Sequence, residues 1–260
     1  MTQIAKEIRK TIIEMANRAK SPHVGSALSC ADILSALYFK AMDIPVPFAE
    51  KRDYFLLSKA HSAMALYATL FHKGVMSKDQ IEGYYQNNGT LPAHTDRFLN
   101  DYVEISAGSL GHGLPIGLGL AHSMKLRNET NKVFVLMGDG EMQEGSVWEA
   151  AMLAPKLRLN NLVVLIDRNN LQGYGRATEL VHFYPIEDKW IAFGWDAVTV
   201  DGHDENAIVE ACRTNDKPKV IICDTTKGKG VSFMEDELKW HYFLVQDEHK
   251  TQALEEIGNA

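Results

Sequence analysis

The sequence is poor in cysteine and contains no long hydrophobic run. Its three cysteines, Cys30, Cys212 and Cys223, are odd in number and lack C-x-x-C spacing, which fits a reducing compartment and predicts buried, inert thiols. No apolar segment approaches the roughly 20 residues that a membrane-spanning helix requires. We therefore expect a soluble, cytoplasmic protein with no membrane partner.

Positive charge is also scarce. Acidic residues outnumber basic ones by 34 to 27, and the net charge of −7 argues against a nucleic-acid binder. The N-terminal segment predicts an amphipathic helix rather than a signal peptide, because apolar residues recur among its charges at Ile4, Ile8, Ile12, Met15 and Ala19. Repeats and low-complexity tracts are absent from the sequence, and a length of 260 residues predicts one large domain over residues 1–260.

The segment 133–173 predicts a β-α-β unit. Residues 133–137 form a short apolar run typical of a buried parallel strand, which Gly138-Asp139-Gly140 ends sharply. A helix is predicted from about Ser146 to Leu157, and a second buried strand over 162–166. Strands predicted over 53–58, 197–200 and 220–223 alternate with helices, including one from about 30 to 40. The fold class is therefore α/β, a doubly wound, mainly parallel sheet flanked by helices.

Polar side chains follow both strands of this unit. In open α/β sheets the ligand crevice lies outside the carboxyl ends of the strands, so Asp139 and Asn169 should lie on neighbouring turns, although 30 residues separate them. Carboxylate and amide oxygens are hard ligands, suited to Mg²⁺ or Ca²⁺. Gly138 and Gly140 allow a close backbone approach, and the following helix N-terminus favours an anion. The pattern predicts a divalent cation bound with a diphosphate.

The segments GDGEMQEG and DRNNLQ, taken together, resemble the thiamin-diphosphate motif of the transketolase family. This resemblance implies that Asp139 and Asn169 bind the metal ion through their side chains, and Leu171 through its carbonyl oxygen. It places Gly138 and Gly140 against the cofactor diphosphate. The implied cofactors are thiamin diphosphate and Mg²⁺ (or Ca²⁺).

Four histidines lie in segments that resemble transketolase motifs. His23 lies in SPHVGSALSC, His61 in LLSKAHSAMALYA, His94 in LPAHTD, and His241 follows KGKGVSFME and a tryptophan. Alone, a histidine in a turn is usually solvated or caps a helix. The resemblance instead implies proton transfer at the substrate by all four, with His61 and His241 also contacting the diphosphate. The remaining histidines lie in no comparable context and predict no catalytic role.

Two further segments match the family. The glycine-rich turn SAGSLGHG resembles the loop under the thiazolium ring, with Gly108 and Leu110 as contacts. Glu144 and Glu149 occupy positions that the family uses at a dimer interface, although exposed helical glutamates are ordinarily just solvated. The sequence departs from the family pattern at Pro22, Ala60, Ala93, Thr95 and Tyr242.

The resemblance covers about residues 4–245 but only the first domain of the family. It implies the N-terminal subunit of a split transketolase, whose pyrimidine and C-terminal domains lie on a partner subunit in an α₂β₂ assembly. The implied reaction moves a two-carbon ketol unit from a ketose (phosphate) donor to an aldose acceptor. Two alternatives stay open: a thiamin-diphosphate-dependent 2-oxo-acid decarboxylase or carboligase subunit, and a non-catalytic cofactor-binding module.

Overall fold

A computed structural model describes residues 1–46, 49, 51–182 and 184–260. Its sheet contains five strands: β1 (Tyr54–Leu57), β2 (Val133–Gly138), β3 (Leu162–Arg168), β4 (Asp196–Asp201) and β5 (Lys219–Asp224). The strand order is β1-β2-β3-β5-β4, and every neighbouring pair is parallel. The predicted α/β fold with a parallel sheet is therefore confirmed.

Helices cover both faces of the sheet. They are α1 (Gln3–Ala19), α2 (Val24–Ser29), α3 (Ala31–Ala36), α4 (Ala63–His72), α5 (Lys78–Glu82), α6 (Gly113–Leu126), α7 (Gly145–Lys156), α8 (Ala177–Leu180), α9 (Ile186–Phe193), α10 (Glu205–Ala211) and α11 (Asp247–Asn259). Short 3₁₀ turns lie at Ala60–Ser62, Gly140–Gln143 and Leu238–His241, and a π turn at Leu37–Ala41. None of the helices in the described ranges is long and apolar enough to cross a membrane.

The side chains of each strand alternate between two hydrophobic layers. On β2, Phe134 and Leu136 belong to the layer under α1–α4, while Val133, Val135 and Met137 belong to the layer under α6, α7 and α9. All five are completely buried. Burial on both faces explains why the strands read as continuous apolar runs rather than as alternating patterns.

The N-terminal half shows one agreement and one difference. Helix α1 is amphipathic as predicted: Ile8, Ile12 and Met15 are fully buried, and Thr2 caps its N-terminus by accepting a hydrogen bond from Ala5 N at 3.3 Å. The helix predicted from about Cys30 to Lys40 is present as α3 and the π turn that continues it to Ala41. The difference is α2, a short helix that the sequence did not predict and that directly precedes α3.

Candidate active site

The carboxyl ends of β2 and β3 meet at the same edge of the sheet. The register pairs Gly138 with Asp167, so the turns that follow are adjacent. Asp139 accepts hydrogen bonds from Gly140 N at 2.7 Å and from Asn170 N at 2.6 Å. These bonds join the two turns, as expected from the ends of neighbouring parallel strands.

A cavity of about 300 Å³ opens at this edge. Every site residue predicted from the sequence lines it: His23, His61, His94, Gly108, Leu110, Gly138, Asp139, Gly140, Asn169, Leu171 and His241. The structure thus brings the predicted set together, from segments as far apart as α2 and the C-terminal loops. Their individual roles remain predictions.

The four histidines form one cluster with His23 at its centre. The ring centroid of His23 lies 5.4 Å from that of His61, 6.3 Å from that of His94 and 5.1 Å from that of His241. The backbone N–H of His23 donates to the carbonyl oxygen of His241 at 3.0 Å, which fixes two distant segments to each other. Several imidazoles can therefore face one small substrate.

Burial keeps three imidazoles of this cluster, those of His23, His61 and His241, neutral. Burial, reinforced by His94 and Lys227, lowers the pKa of His23 to about 4. Burial and then the Lys227 ammonium lower the pKa of His241 to about 3, and burial with Lys59 lowers that of His61 well below its ordinary value. A neutral imidazole accepts one hydrogen bond and donates another, which suits these side chains to holding hydroxyl groups of a ligand at neutral pH.

Lys227 is a site residue that the sequence reasoning missed. Its Nζ donates to the carbonyl oxygen of Leu171 at 2.8 Å and lies 2.8 Å from Nδ1 of His241. Because an ammonium group has no acceptor, Nδ1 of His241 accepts, and its Nε2 carries the proton. Burial and the nearby Lys59 lower the pKa of Lys227 to about 8.

A buried ion pair lies beneath the cavity. Lys59 and Asp167 are in direct contact, with side chains 1% and 0% exposed. Burial alone disfavours both charges, but their mutual attraction prevails, so the pKa of Lys59 is raised and that of Asp167 is lowered. Lys59 and Lys227 each lie a few residues beyond the end of a strand, β1 and β5 respectively, and this position is the signal that could have identified them.

Glu141 joins the glycine-rich turn to the turn after β2. Its buried carboxylate accepts hydrogen bonds from Gly111 N at 2.8 Å, from Gly138 N at 3.2 Å and from the Ser58 hydroxyl. Burial raises its pKa despite these bonds. Glu141 therefore sets where the turn carrying Gly108 lies relative to Asp139. The sequence reasoning did not single it out.

A second network supports the segment that carries Lys227. Asp32 pairs with Arg9 at 2.6 Å and accepts from Nδ1 of His203 at 2.7 Å. The other ring nitrogen of His203 accepts the backbone N–H of Thr226 at 2.9 Å. Nε of Arg9 donates to the carbonyl oxygen of Lys229 at 3.0 Å. His203, which predicts no catalytic role, thus orients the backbone beside Lys227.

The residues present fit a diphosphate and a hard cation. Nε2 of Gln172 is buried at the cavity wall without a hydrogen-bond partner in the described chain, and such a donor is suited to an anion. Burial and the Asp167 charge raise the pKa of Asp139 to about 6, so a cation beside this carboxylate would be stabilising. Asn169 and Leu171 line the same cavity and would add an amide oxygen and a carbonyl oxygen, the latter shared with the Lys227 ammonium.

The predicted metal set contains one carboxylate, one amide and one carbonyl. Across the described ranges there is no group of three or more His, Cys, Asp or Glu side chains placed to hold a metal ion. The donor set resembles a site that shares its cation with a phosphate ligand rather than an all-protein cage. This agrees with the adjacent Lys227 and Gln172 donors.

Glu144 and Glu149 lie on the exposed surface around the start of α7. The same helix exposes Met152 and Leu153, at 54% and 46%. The acids contribute nothing to the cavity lining. Their predicted place at a subunit interface remains a prediction.

Comparisons with known proteins agree with this geometry. Residues 1–259 match the family model described as "Transketolase, thiamine diphosphate binding domain". The chain is 40% identical over 256 residues to a subunit of the apulose-4-phosphate transketolase of Phocaeicola vulgatus, covering 96% of this chain and 91% of that protein. It is 37% identical over 259 residues to the 6-deoxy-6-sulfo-D-fructose transketolase subunit SqwG of a Clostridium species, covering 97% and 94%.

Solved structures give the same result. The transketolase of Campylobacter jejuni superimposes with a TM-score of 0.89 at 28% identity, and that of Leishmania mexicana with 0.91 at 28%. These matches cover 99% and 98% of this chain but only 43% and 41% of the two transketolases. The chain is thus similar over its length to less than half of each solved transketolase.

Proposed function

We propose that this chain, which belongs to the transketolase family, is the cofactor-binding subunit of a two-subunit transketolase. The complex would move a two-carbon ketol unit from a ketose or ketose-phosphate donor to an aldose acceptor. The observation that carries this proposal is the cluster of four histidines beside the turns of Asp139 and Asn169, in one cavity. Several imidazoles facing a substrate suit a sugar with several hydroxyl groups better than a 2-oxo acid.

Each residue would have a distinct task. Asp139, Asn169 and the Leu171 carbonyl would hold Mg²⁺ (or Ca²⁺), while His61, His241 and the backbone at Gly138 and Gly140 would bind the diphosphate. Gly108 and Leu110 would contact the thiazolium ring. Thiamin diphosphate, when bound, supplies the carbanion that cleaves and forms the carbon–carbon bond.

The histidines would handle the substrate protons. His23 and His94 would hold sugar hydroxyls, and His61 and His241 lie close enough to share this work. Since Lys227 fixes the proton of His241 on Nε2, that nitrogen donates to a ligand oxygen in the cavity. His23 would take the proton from the donor hydroxyl beside the bond that breaks, and would give it to the acceptor oxygen when the new carbon–carbon bond forms.

A partner subunit would supply the rest of the active site. We propose that residues 1–260 form one cofactor-binding domain, and that a separate subunit carries the pyrimidine domain and the glutamate that activates the cofactor. Similar proteins of nearly the same length are each named as one subunit of a transketolase, which supports such a division. We propose an α₂β₂ assembly in the cytoplasm, with Glu144 and Glu149 at the interface and only small sugar or sugar-phosphate substrates as further partners.

Co-production with the candidate partner subunit tests the function. Ketol transfer from hydroxypyruvate to an aldehyde would be measured with thiamin diphosphate and Mg²⁺, for each of the two chains alone and for the pair. We expect activity only in the pair, with loss of at least 100-fold in Asp139→Ala. The control is Asp216→Ala, which removes an exposed carboxylate in the loop before β5.

Two outcomes would contradict the proposal. A cofactor-loaded pair that releases CO₂ from 2-oxo acids without transferring a ketol unit would indicate decarboxylase chemistry. A pair that binds the cofactor but catalyses neither reaction would indicate a non-catalytic binding module.

A further inference from the structure

Gly173 and Tyr242 are in intimate contact at the mouth of the cavity. A Cβ atom built on Gly173 would lie 2.5 Å from Oη of Tyr242, 3.2 Å from its Cζ and 3.4 Å from Nε2 of His241. Real Cβ atoms essentially never show a contact as short as 2.5 Å, so the tyrosine hydroxyl would have to shift if residue 173 carried a side chain. The tyrosine ring can therefore take its position only because residue 173 has no side chain.

The ring of Tyr242 stands beside the histidine cluster. Its centroid lies 4.6 Å from that of His241 and 6.2 Å from that of His23. Tyr242 lines the cavity and is 55% exposed, so it lies at the cavity mouth. Its backbone N–H donates to the carbonyl oxygen of Lys239 at 3.1 Å, which holds the backbone at this residue.

The position of the ring limits how far a bound chain can extend. A substrate held at His23 and His241 that continues outward meets the tyrosine on this side. The hydroxyl end of the ring lies against the Gly173 backbone, so the obstacle bridges the two loops instead of projecting freely into solvent. The restriction is steric, because the ring itself occupies the space.

We propose that Tyr242, seated on Gly173, forms a steric wall that selects shorter aldehyde acceptors over longer ones. This inference rests on the proposed ketol transfer. It assigns specificity to a pair of residues on this chain, separate from the residues that hold the metal ion and the diphosphate.

Acceptor competition in the complete complex tests the wall. With hydroxypyruvate as donor, kcat/KM would be compared for D-glyceraldehyde 3-phosphate and D-ribose 5-phosphate, which carry the same terminal group. We expect Tyr242→Gly to lower the three-carbon over five-carbon ratio at least tenfold. Tyr242→Phe, which keeps the ring, should leave the ratio unchanged. Phe243→Gly is the matched control, since Phe243 is 56% exposed but does not line the cavity.

The contact between Gly173 and Tyr242 can also be tested by thermal stability, without an activity assay. Gly173→Ala should lower the melting temperature of the isolated chain measurably in the wild-type background, because the new methyl group displaces the Tyr242 ring. In the Tyr242→Gly background the same substitution should have little effect. A similar loss in both backgrounds would overturn the assigned contact.

The outcomes separate the wall from the proposed function. A coupled melting effect with an unchanged acceptor ratio in Tyr242→Gly would overturn the selectivity while ketol transfer stands. A wild-type pair without any ketol transfer would refute the proposed function, and the acceptor selectivity with it.

Discussion

Removing Arg9 should reveal the cost of an uncompensated charge in the core. Nη1 and Nη2 of Arg9 bind Oδ1 and Oδ2 of Asp32 at 3.0 and 2.6 Å, and the two side chains are 0% and 3% exposed. Burial by itself raises the pKa of Asp32, but hydrogen bonds from His203 and Arg9 lower it to about 2. The carboxylate therefore stays charged only because of its partners.

The magnitude follows from this burial. Breaking a buried pair by removing one partner costs about 3–5 kcal/mol, because a buried charge is left uncompensated. We expect Arg9→Met to lower the unfolding free energy by that amount. Arg9→Met combined with Asp32→Asn removes both charges and retains an oxygen for His203, so it should recover about 2 kcal/mol of the loss.

Acid should rescue the single variant. Without Arg9, burial raises the folded-state pKa of Asp32 above its unfolded value, so the folded chain binds a proton more readily than the unfolded one. The stability deficit should then be largest at neutral pH and shrink as the pH falls toward 5. In the wild-type protein the pKa of Asp32 is lowered instead of raised, so the ionised carboxylate stabilises the fold. This stabilisation is lost only as the pH falls from about 4 to 2.

Urea denaturation followed by tryptophan fluorescence measures these differences. Arg213→Met is the control, because Arg213 pairs with Glu210 at the surface, with side chains 78% and 65% exposed. An exposed pair contributes about 0–1 kcal/mol. A loss below about 1 kcal/mol for Arg9→Met, or the same loss in the Asp32→Asn background, would refute the reasoning.

Two more predictions concern the site. Glu141→Gln turns an amide nitrogen toward backbone and hydroxyl donors and should lower the unfolding free energy, measured by urea denaturation, by about 1–3 kcal/mol. The control Glu255→Gln, at an exposed position, should change it little. Equal losses in the two variants would show that Glu141 does not hold the two turns together. As the pH falls from about 6.5 to 4, the unfolded chain takes up protons that the folded His23 and His241, with pKa values of about 4 and 3, do not bind. Stability should therefore decrease with acid over this range, and less steeply in His23→Gln than in the exposed control His182→Gln; matching slopes would contradict the lowered pKa.

The sequence determined the sheet and the turns that carry the site. Continuous apolar runs predict buried parallel strands, and the Gly138-Asp139-Gly140 turn ends the strand β2 at Gly138. Because the carboxyl ends of parallel strands meet at one edge, the proximity of Asp139 and Asn169 followed from their positions alone. The histidine motifs were equally readable, through their resemblance to a family.

Only the tertiary structure decided how those parts act on each other. Lys227 was identified only from the fold, which places its ammonium between the Leu171 carbonyl and His241. His203 had no motif, yet it orients the backbone next to that lysine. The contact of Tyr242 with Gly173 joins residues 69 positions apart. Such contacts, and the pKa values they set, depend on burial and on distances between remote segments, which periodicity and spacing along a chain do not encode.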